Sequence, residues 1–302
     1  MGRKGIAQLV VLWALLLLGT LALSFAFSAR TEATASRNGL DADRAYFQAR
    51  TGVSRAIALL SSAGTDNVLG REITGGDDDV SYEARVVAEG GKIDINFVTG
   101  EVLKEVLRKG GLPEEEADRV GDAILDWRDE DDRPRENGAE EGYYASLPEP
   151  VKPRNGKFAG AWELRHVRGV HPEFFDRFLS AVFTAEGGGP GVNVNLTPVE
   201  VLEALPGFTP ELAARVDSRR RSLPFRSAAD VAAFLAGEGV KPPSIPLFST
   251  ARASRAYTIT SAGRAGGEIV RSVRCTIELR GGGNPYKIKR WEDHVASREE
   301  NR

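Results

Sequence analysis

One cysteine, one methionine and three histidines are found among 302 residues, and these scarcities close off several kinds of chemistry. A lone cysteine can form neither an intrachain disulfide nor a thiolate zinc site. Cys275 lies in an alternating apolar run and reads as a buried strand residue rather than a nucleophile. His166, His171 and His294 stand at spacings that match no metal-ligand pattern. The glycine clusters Gly187–Gly189 and Gly281–Gly283 precede no Lys-Ser or Lys-Thr, so they read as loops and not as phosphate cradles. A broad positive field is also missing, since 40 Lys and Arg stand against 43 Asp and Glu for a net charge of −3. A polyanion therefore finds little to attract it. The one dense basic cluster, Arg219–Arg221, reads as a solvated helix end. Trp127 and Trp162 read as core residues rather than platforms for bases or sugars. The composition points away from an enzyme, a small-molecule substrate and a nucleic-acid partner.

Charge is missing altogether from the 22 residues between Ile6 and Phe27. As a helix rising about 1.5 Å per residue, that run reaches roughly 33 Å, enough to cross a hydrocarbon core of about 30 Å. The stretch is longer than the apolar region of an export signal and enters polar sequence at Phe27 without a small-x-small cleavage site. Arg3 and Lys4 precede it, which predicts a single-pass membrane protein with a cytoplasmic N-terminus and the remainder on the far side.

Beyond Phe27, Ala49, Val53, Ile57 and Leu60 recur at three- and four-residue spacing, which predicts that the helix continues and buries one face. Gly39 and Gly52 are expected to weaken it, and Ser61–Gly64 to end it. Residues 80–88, 256–261 and 269–279 alternate as half-buried strands, the last two joined by a glycine-rich turn at Gly263–Gly267. The simplest arrangement is one antiparallel sheet against the helix, with the sequence between as an insertion. That insertion repeats itself: Ile93–Leu103 echoes Val192–Leu202, and each copy is followed by a glycine-led helix start, at Gly111 and Gly207. Two related helical units are expected, with Asn96 and Asn195 as turn or capping residues. Leu205–Pro210 partly resembles a helix-hairpin-helix turn, but Thr209 replaces its second glycine and hinders close phosphate approach.

The most charged stretch follows a helical pattern ending near Arg128. Asp126, Asp129, Asp131, Asp132, Glu140 and Glu141 are expected to converge on a loop there. Clustered carboxylate oxygens on irregular backbone suit Ca²⁺, although the glycine and terminal glutamate of an EF-hand are not in place. Spacing alone equally allows a solvated acidic loop paired with Arg128, Arg133 and Arg135.

The leader, Arg3-Lys4-Gly5 followed by Ile6, resembles that of type IV prepilins, which implies cleavage by a prepilin peptidase between Gly5 and Ile6 and methylation of the mature chain. Pilins usually carry glutamate at the fifth mature position, where this chain has Val10. That departure, the Asp126-Trp127-Arg128-Asp129 element with Gly138-Ala-Glu140 and the Tyr143-Tyr144 pair downstream, Asn155-Gly156, Glu163-Leu164 and Val167-Arg-Gly169 resemble the minor pseudopilin K family of the type II secretion system. The resemblance implies an α+β, pilin-like fold: a long N-terminal helix packed on a small antiparallel sheet, carrying a large all-helical insertion of two related units. Its expected divisions are a leader at 1–5, a transmembrane helix at 6–27, pilin-like parts at 28–92 and 251–282, an insertion at 93–250 (units 93–185 and 191–250) and a flexible tail at 283–302. It further implies a place at the pseudopilus tip, I- and J-type minor pseudopilins as partners, structural Ca²⁺, and a part in exporting folded proteins across the outer membrane. A minor pilin of a type IV pilus and a membrane-anchored helix-hairpin-helix nucleic-acid-binding protein are the alternatives.

Overall fold

In the computed structural model, described for residues 3–62, 65, 68–240, 247–250, 254–267, 269–280 and 285–293 and for side chains from Leu9 onward, one helix dominates the N-terminal part. Helix α1 runs unbroken from Arg3 to Ser62. From Ile6 to Phe27 it carries no charge. In its second half Ala45, Ala49, Val53, Ala56 and Leu60 fall on one stripe, and all are buried.

That stripe lies on a five-stranded antiparallel sheet of β1 (Glu72–Gly76), β2 (Val80–Ala88), β7 (Ala256–Ala265), β8 (Ile269–Leu279) and β9 (Tyr286–Asp293), in that spatial order. Register aligns Val86, Ile259, Cys275 and Trp291 in one row across four strands, and all four pack in the core beneath α1. Burial there pushes the Cys275 thiol up to about 11, which keeps it protonated and inert.

Helix and sheet approach so closely that glycine is required where they touch. A Cβ on Gly263 would lie 2.0 Å from the Ala45 carbonyl oxygen and 2.4 Å from the Ala49 nitrogen. On Gly52 it would lie 2.2 Å from Ser261 Oγ. Gly52 is therefore a packing residue rather than the weak point expected of it.

Two strands of this sheet lie outside the expected set. β1 is short and ends in two glycines, which hid it. β9 occupies residues expected as a flexible tail: its backbone pairs with β8, Trp291 joins the core, and Tyr46 of α1 donates a hydrogen bond to Asp293 at 3.0 Å. Arg50 lies 5.8 Å from both the Tyr46 and Trp291 ring centroids, a cationic tie across the same seam. The charges of β9 suggested a mobile end, but on an edge strand they face water while Trp291 faces the helix. Residues 283–284 and 294–302 of that expected tail lie outside the described residues.

Between β2 and β7 the chain builds a second, helical core. At the exit from β2, Glu89 and Lys92 form a buried ion pair at 3.0 Å. The first unit contains β3 (Ile93–Asp94), α2 (Gly100–Lys109), α3 (Glu114–Arg128), α4 (Glu141–Ala145), a 3₁₀ segment Ala161–His166, a helical run of α5 (Pro172–Phe174), a π-turn Phe175–Leu179 and α6 (Ser180–Val182), and β4 (Phe183–Thr184). The second contains β5 (Val192–Asn193), α7 (Val199–Ala204), α8 (Pro210–Ser222), α9 (Ala228–Gly237) and β6 (Phe248–Ser249). In each, a two-residue parallel pairing closes the end of the unit onto its beginning, β3 with β4 and β5 with β6.

The repeat extends to individual hydrogen bonds. Asn96 donates to the Phe158 carbonyl at 3.1 Å and accepts from its N–H at 2.7 Å; Asn195 does the same with Phe225, at 2.9 Å each way. Arg128 donates to the carbonyls of Ile95 and Val98, and Arg220 to those of Val194 and Thr197. Asn96 and Asn195 are thus long-range clamps rather than caps. The local turns are made by Asp94 and Asn193, which accept from the backbone N–H two residues on. Thr209, in the place of the hairpin glycine, caps α8 by accepting from Leu212 N–H at 3.2 Å, with Pro210 at the first helical position.

Candidate functional site

The two units differ most between the clamping arginine and the clamped phenylalanine. Residues 129–157 form a long loop in the first unit, whereas 221–224 suffice in the second. The acidic stretch lies at the start of that long loop. Counting from the arginines, Asp126 and Asp129 correspond to Ser218 and Arg221, so the acidic site belongs to the first unit alone.

Helix α3 positions the first carboxylate. Val120, Ala123, Ile124 and Trp127 form its buried stripe, and Asp126 in its last turn is fully buried, with 0% of its surface exposed. The loop then folds back over it. Gly138 comes so near that a Cβ there would lie 1.8 Å from Asp126 Oδ2, so only glycine permits this return. Next to Gly138, Glu140 is carried in just before α4 and is 5% exposed. Trp127 supports the site from below, edge-on to Tyr144 at 5.1 Å and stacked on Phe158 at 6.3 Å, with its Nε1–H donating to Glu163 at 3.4 Å. Glu163 is held in turn by Arg154 at 2.8 Å.

One oxygen each from Asp126, Asp129 and Glu140 lie within 4.8 Å of one another. Arg135 Nη1 is 2.5 Å from both Asp126 Oδ1 and Asp129 Oδ2. Asp129 Oδ1, both oxygens of Glu140 and Asn155 Oδ1 are buried without a hydrogen-bond partner. Burial, then the charges of Asp126, Asp129, Asp132 and Asp131, push the Glu140 carboxyl up to about 7. Unpartnered oxygens beside like charges are costly in a protein interior, and a hard, oxygen-seeking cation relieves both costs.

Of the six expected acids, the fold gathers Asp126, Asp129 and Glu140. Asp131 and Asp132 flank them from exposed positions, Asp131 accepting from Arg133 N–H at 2.9 Å and Asp132 from Asn155 Nδ2 at 2.7 Å. Glu141 is exposed in the first turn of α4 and does not join the cluster. Among the arginines considered as partners, Arg128 serves the backbone clamp and Arg135 enters the cluster. Asn155 was missed. Its positive φ of 46° in Asn155-Gly156 marks the tight turn that carries it against Asp132, a signal visible as the Asn-Gly pair.

A second surface calls for a partner. From Leu9 to Phe27 the large side chains of α1 are all exposed, and Val10 is 61% exposed. Beyond the membrane-length run, Leu40 and Phe47 are 61% and 60% exposed. Seven residues apart, they share one helix face, about 160–200° from the stripe on the sheet. For the expected processing position, Gly5 and Ile6 have helical backbone only, and their side chains lie outside the described residues. The basic cluster, by contrast, is spent internally. Arg220 serves the clamp, Arg221 pairs with Asp217 at 2.8 Å, and Arg219 lies 5.1 Å from the Phe225 ring centroid.

Two family models, both described as type II secretion system protein K, match the chain, one over residues 86–185 and the other over 192–250. Together they take in the two helical units. A curated relative named type II secretion system protein K from Pectobacterium carotovorum subsp. carotovorum is 32% identical over 95 residues, which is 32% of this chain and 29% of the relative. Another of that name from Dickeya chrysanthemi is 31% identical over 114 residues, 38% of this chain and 29% of the relative. The matched stretch thus spans under a third of each relative's length. A chain of the solved GspK-GspI-GspJ complex of the enterotoxigenic Escherichia coli type 2 secretion system has the same fold, with a TM-score of 0.59, 14% identity, and coverage of 89% of this chain and 99% of that one.

Proposed function

The chain belongs to the type II secretion system protein K family, and from that premise we propose that it is a minor pseudopilin, anchored once in the inner membrane with its folded part in the periplasm. It takes part in assembling the pseudopilus and so in moving folded proteins across the outer membrane. The observation that carries this is α1. A single 60-residue helix is free of charge from Ile6 to Phe27 and is seated on a sheet in its second half. Such an element can leave the bilayer only together with other helices that cover it, as in a filament. Val10 at the fifth mature position lacks the carboxylate that would accept a neighbour's amine, which suits the end of a filament with no subunit beyond. Partners of the I and J type fit the exposed face bearing Leu40 and Phe47, and the related solved complex is named for K, I and J proteins together.

Photo-crosslinkers placed at Leu40 and Phe47 of the full chain test this in cells that also make I- and J-type pseudopilins and the prepilin peptidase. Adducts with those subunits support the assignment. Adducts to type IV pilus subunits instead, or an unprocessed chain with no adduct to any pilin-like protein, overturn it.

Within this role the acidic loop is a structural calcium site. Asp126, Asp129 and Glu140 would hold the ion, with Asp131 and Asp132 adding to the field and Asn155 offering a carbonyl oxygen. The donor set is all oxygen and includes orphaned buried atoms, which suits Ca²⁺. Bound there, the ion supplies positive charge that ties the end of α3 to the loop before α4.

A further inference from the structure

Resting on the reading of this loop as a calcium site, we propose that Arg135 is a built-in rival of the cation, which holds the loop together when calcium is scarce and must leave when it binds. One guanidinium nitrogen bridges Asp126 and Asp129, two of the three gathered carboxylates, at 2.5 Å to each. At that distance it takes the oxygens that an ion would need, and its positive charge opposes a second cation beside it. The other arginine at the end of α3 is committed elsewhere, since Arg128 donates to the Ile95 and Val98 carbonyls. Arg135 also reaches in from the surface, with its side chain 39% exposed, so it can swing out to solvent without disturbing the core. Its bridge satisfies only one side of the cluster: Asp129 Oδ1 and both Glu140 oxygens remain unpartnered. The arginine therefore offsets one negative charge of the cluster and leaves these oxygens unpartnered, whereas a divalent ion offsets two. Calcium affinity becomes the intrinsic affinity reduced by the fraction of time that Arg135 is away, which sets the concentration at which the loop loads.

The test is calorimetric titration of CaCl₂ into the full chain in detergent, stripped beforehand with EGTA, for wild type, Arg135→Gln and the exposed neighbour Arg133→Gln. The expected result is on the order of tenfold tighter binding for R135Q, because two charge-assisted contacts no longer have to be broken, with little change for R133Q. In EGTA, R135Q is expected to melt below wild type because its carboxylates lose their counter-charge. Should R135Q fail to fold, Arg135→Lys keeps the charge but lacks the planar fork, and is expected to bind calcium more tightly than wild type by a smaller factor. Wild type binding calcium while R135Q binds equally or more weakly overturns the rivalry alone. An equal gain in R133Q overturns it too, since the effect is then one of general charge. No calcium binding by any of the proteins removes the calcium reading and the rivalry with it.

Discussion

Replacing Glu140 by Gln separates a cation site from a structural carboxylate, because the two roles give effects of opposite sign. Both Glu140 oxygens are buried without a partner, and its carboxyl is raised from an ordinary 4.5 to about 7. A folded-state value above the unfolded one means that folding takes up a proton between those limits. The favourable contribution is complete below pH 4.5 and is lost as pH rises through 7. Well above 7, the ionised group costs the calcium-free fold about 3 kcal/mol. Glutamine has the same shape and no charge, and its NH₂ can donate to the unpartnered Asp129 Oδ1. Allowing about 1–2 kcal/mol for imperfect amide pairing, E140Q should be more stable than wild type by about 1–2 kcal/mol at pH 8 in EGTA. That corresponds to a melting temperature higher by roughly 3–6 °C for a domain of this size. In calcium the advantage of E140Q narrows or reverses. Wild type gains about 2.7 kcal/mol when the ion is present at a hundred times its Kd, whereas E140Q has lost a charged ligand and should gain less than half of that. Thermal melts of the full chain in detergent, in EGTA and in calcium from pH 4.5 to 8, read all of this. A variant less stable than wild type in EGTA, or one with an undiminished calcium shift, would refute the reasoning.

Gly263→Ala places a methyl against α1 backbone that cannot yield locally, so a loss of about 3 kcal/mol or more is expected, and an unchanged melting temperature would show that the helix does not sit where described. Asn96→Ala and Asn195→Ala each remove two hydrogen bonds and strand a backbone pair, costing about 2–3 kcal/mol apiece in urea unfolding; equal effects support the repeat, and a neutral result at either position counts against its clamp. Gly5 replaced by a bulky residue should leave the leader attached and exclude the chain from the pseudopilus, which mass spectrometry of the membrane-extracted protein detects as an uncleaved N-terminus.

Long periodic features were legible before any fold was known. The charge-free run, the stripe at Ala49, Val53, Ile57 and Leu60, and the alternation in three strands each repeat one physical rule over many residues, so single exceptions do not hide them. The echo between Ile93 and Val192 was visible as well. Its meaning was not, because Asn96 and Asn195 find their partners at Phe158 and Phe225, and nothing local marks a backbone segment so far along the chain. β9 was misjudged because an edge strand needs only one buried face, and its lysines and arginines obscured the lone Trp291 that docks beneath α1.

The order of residues by itself determined that a membrane-length helix continues into an amphipathic one, that two related helical units interrupt the strands, and that the acidic stretch follows α3. Only the tertiary structure decided which carboxylates meet. Asp126, Asp129 and Glu140 converge because Gly138 lets the loop return against the helix end, while Glu141, the very next residue, faces water. Sequence sets charge and spacing along the chain, but an ion site depends on distances across it, and those follow from where close packing allows the backbone to turn back.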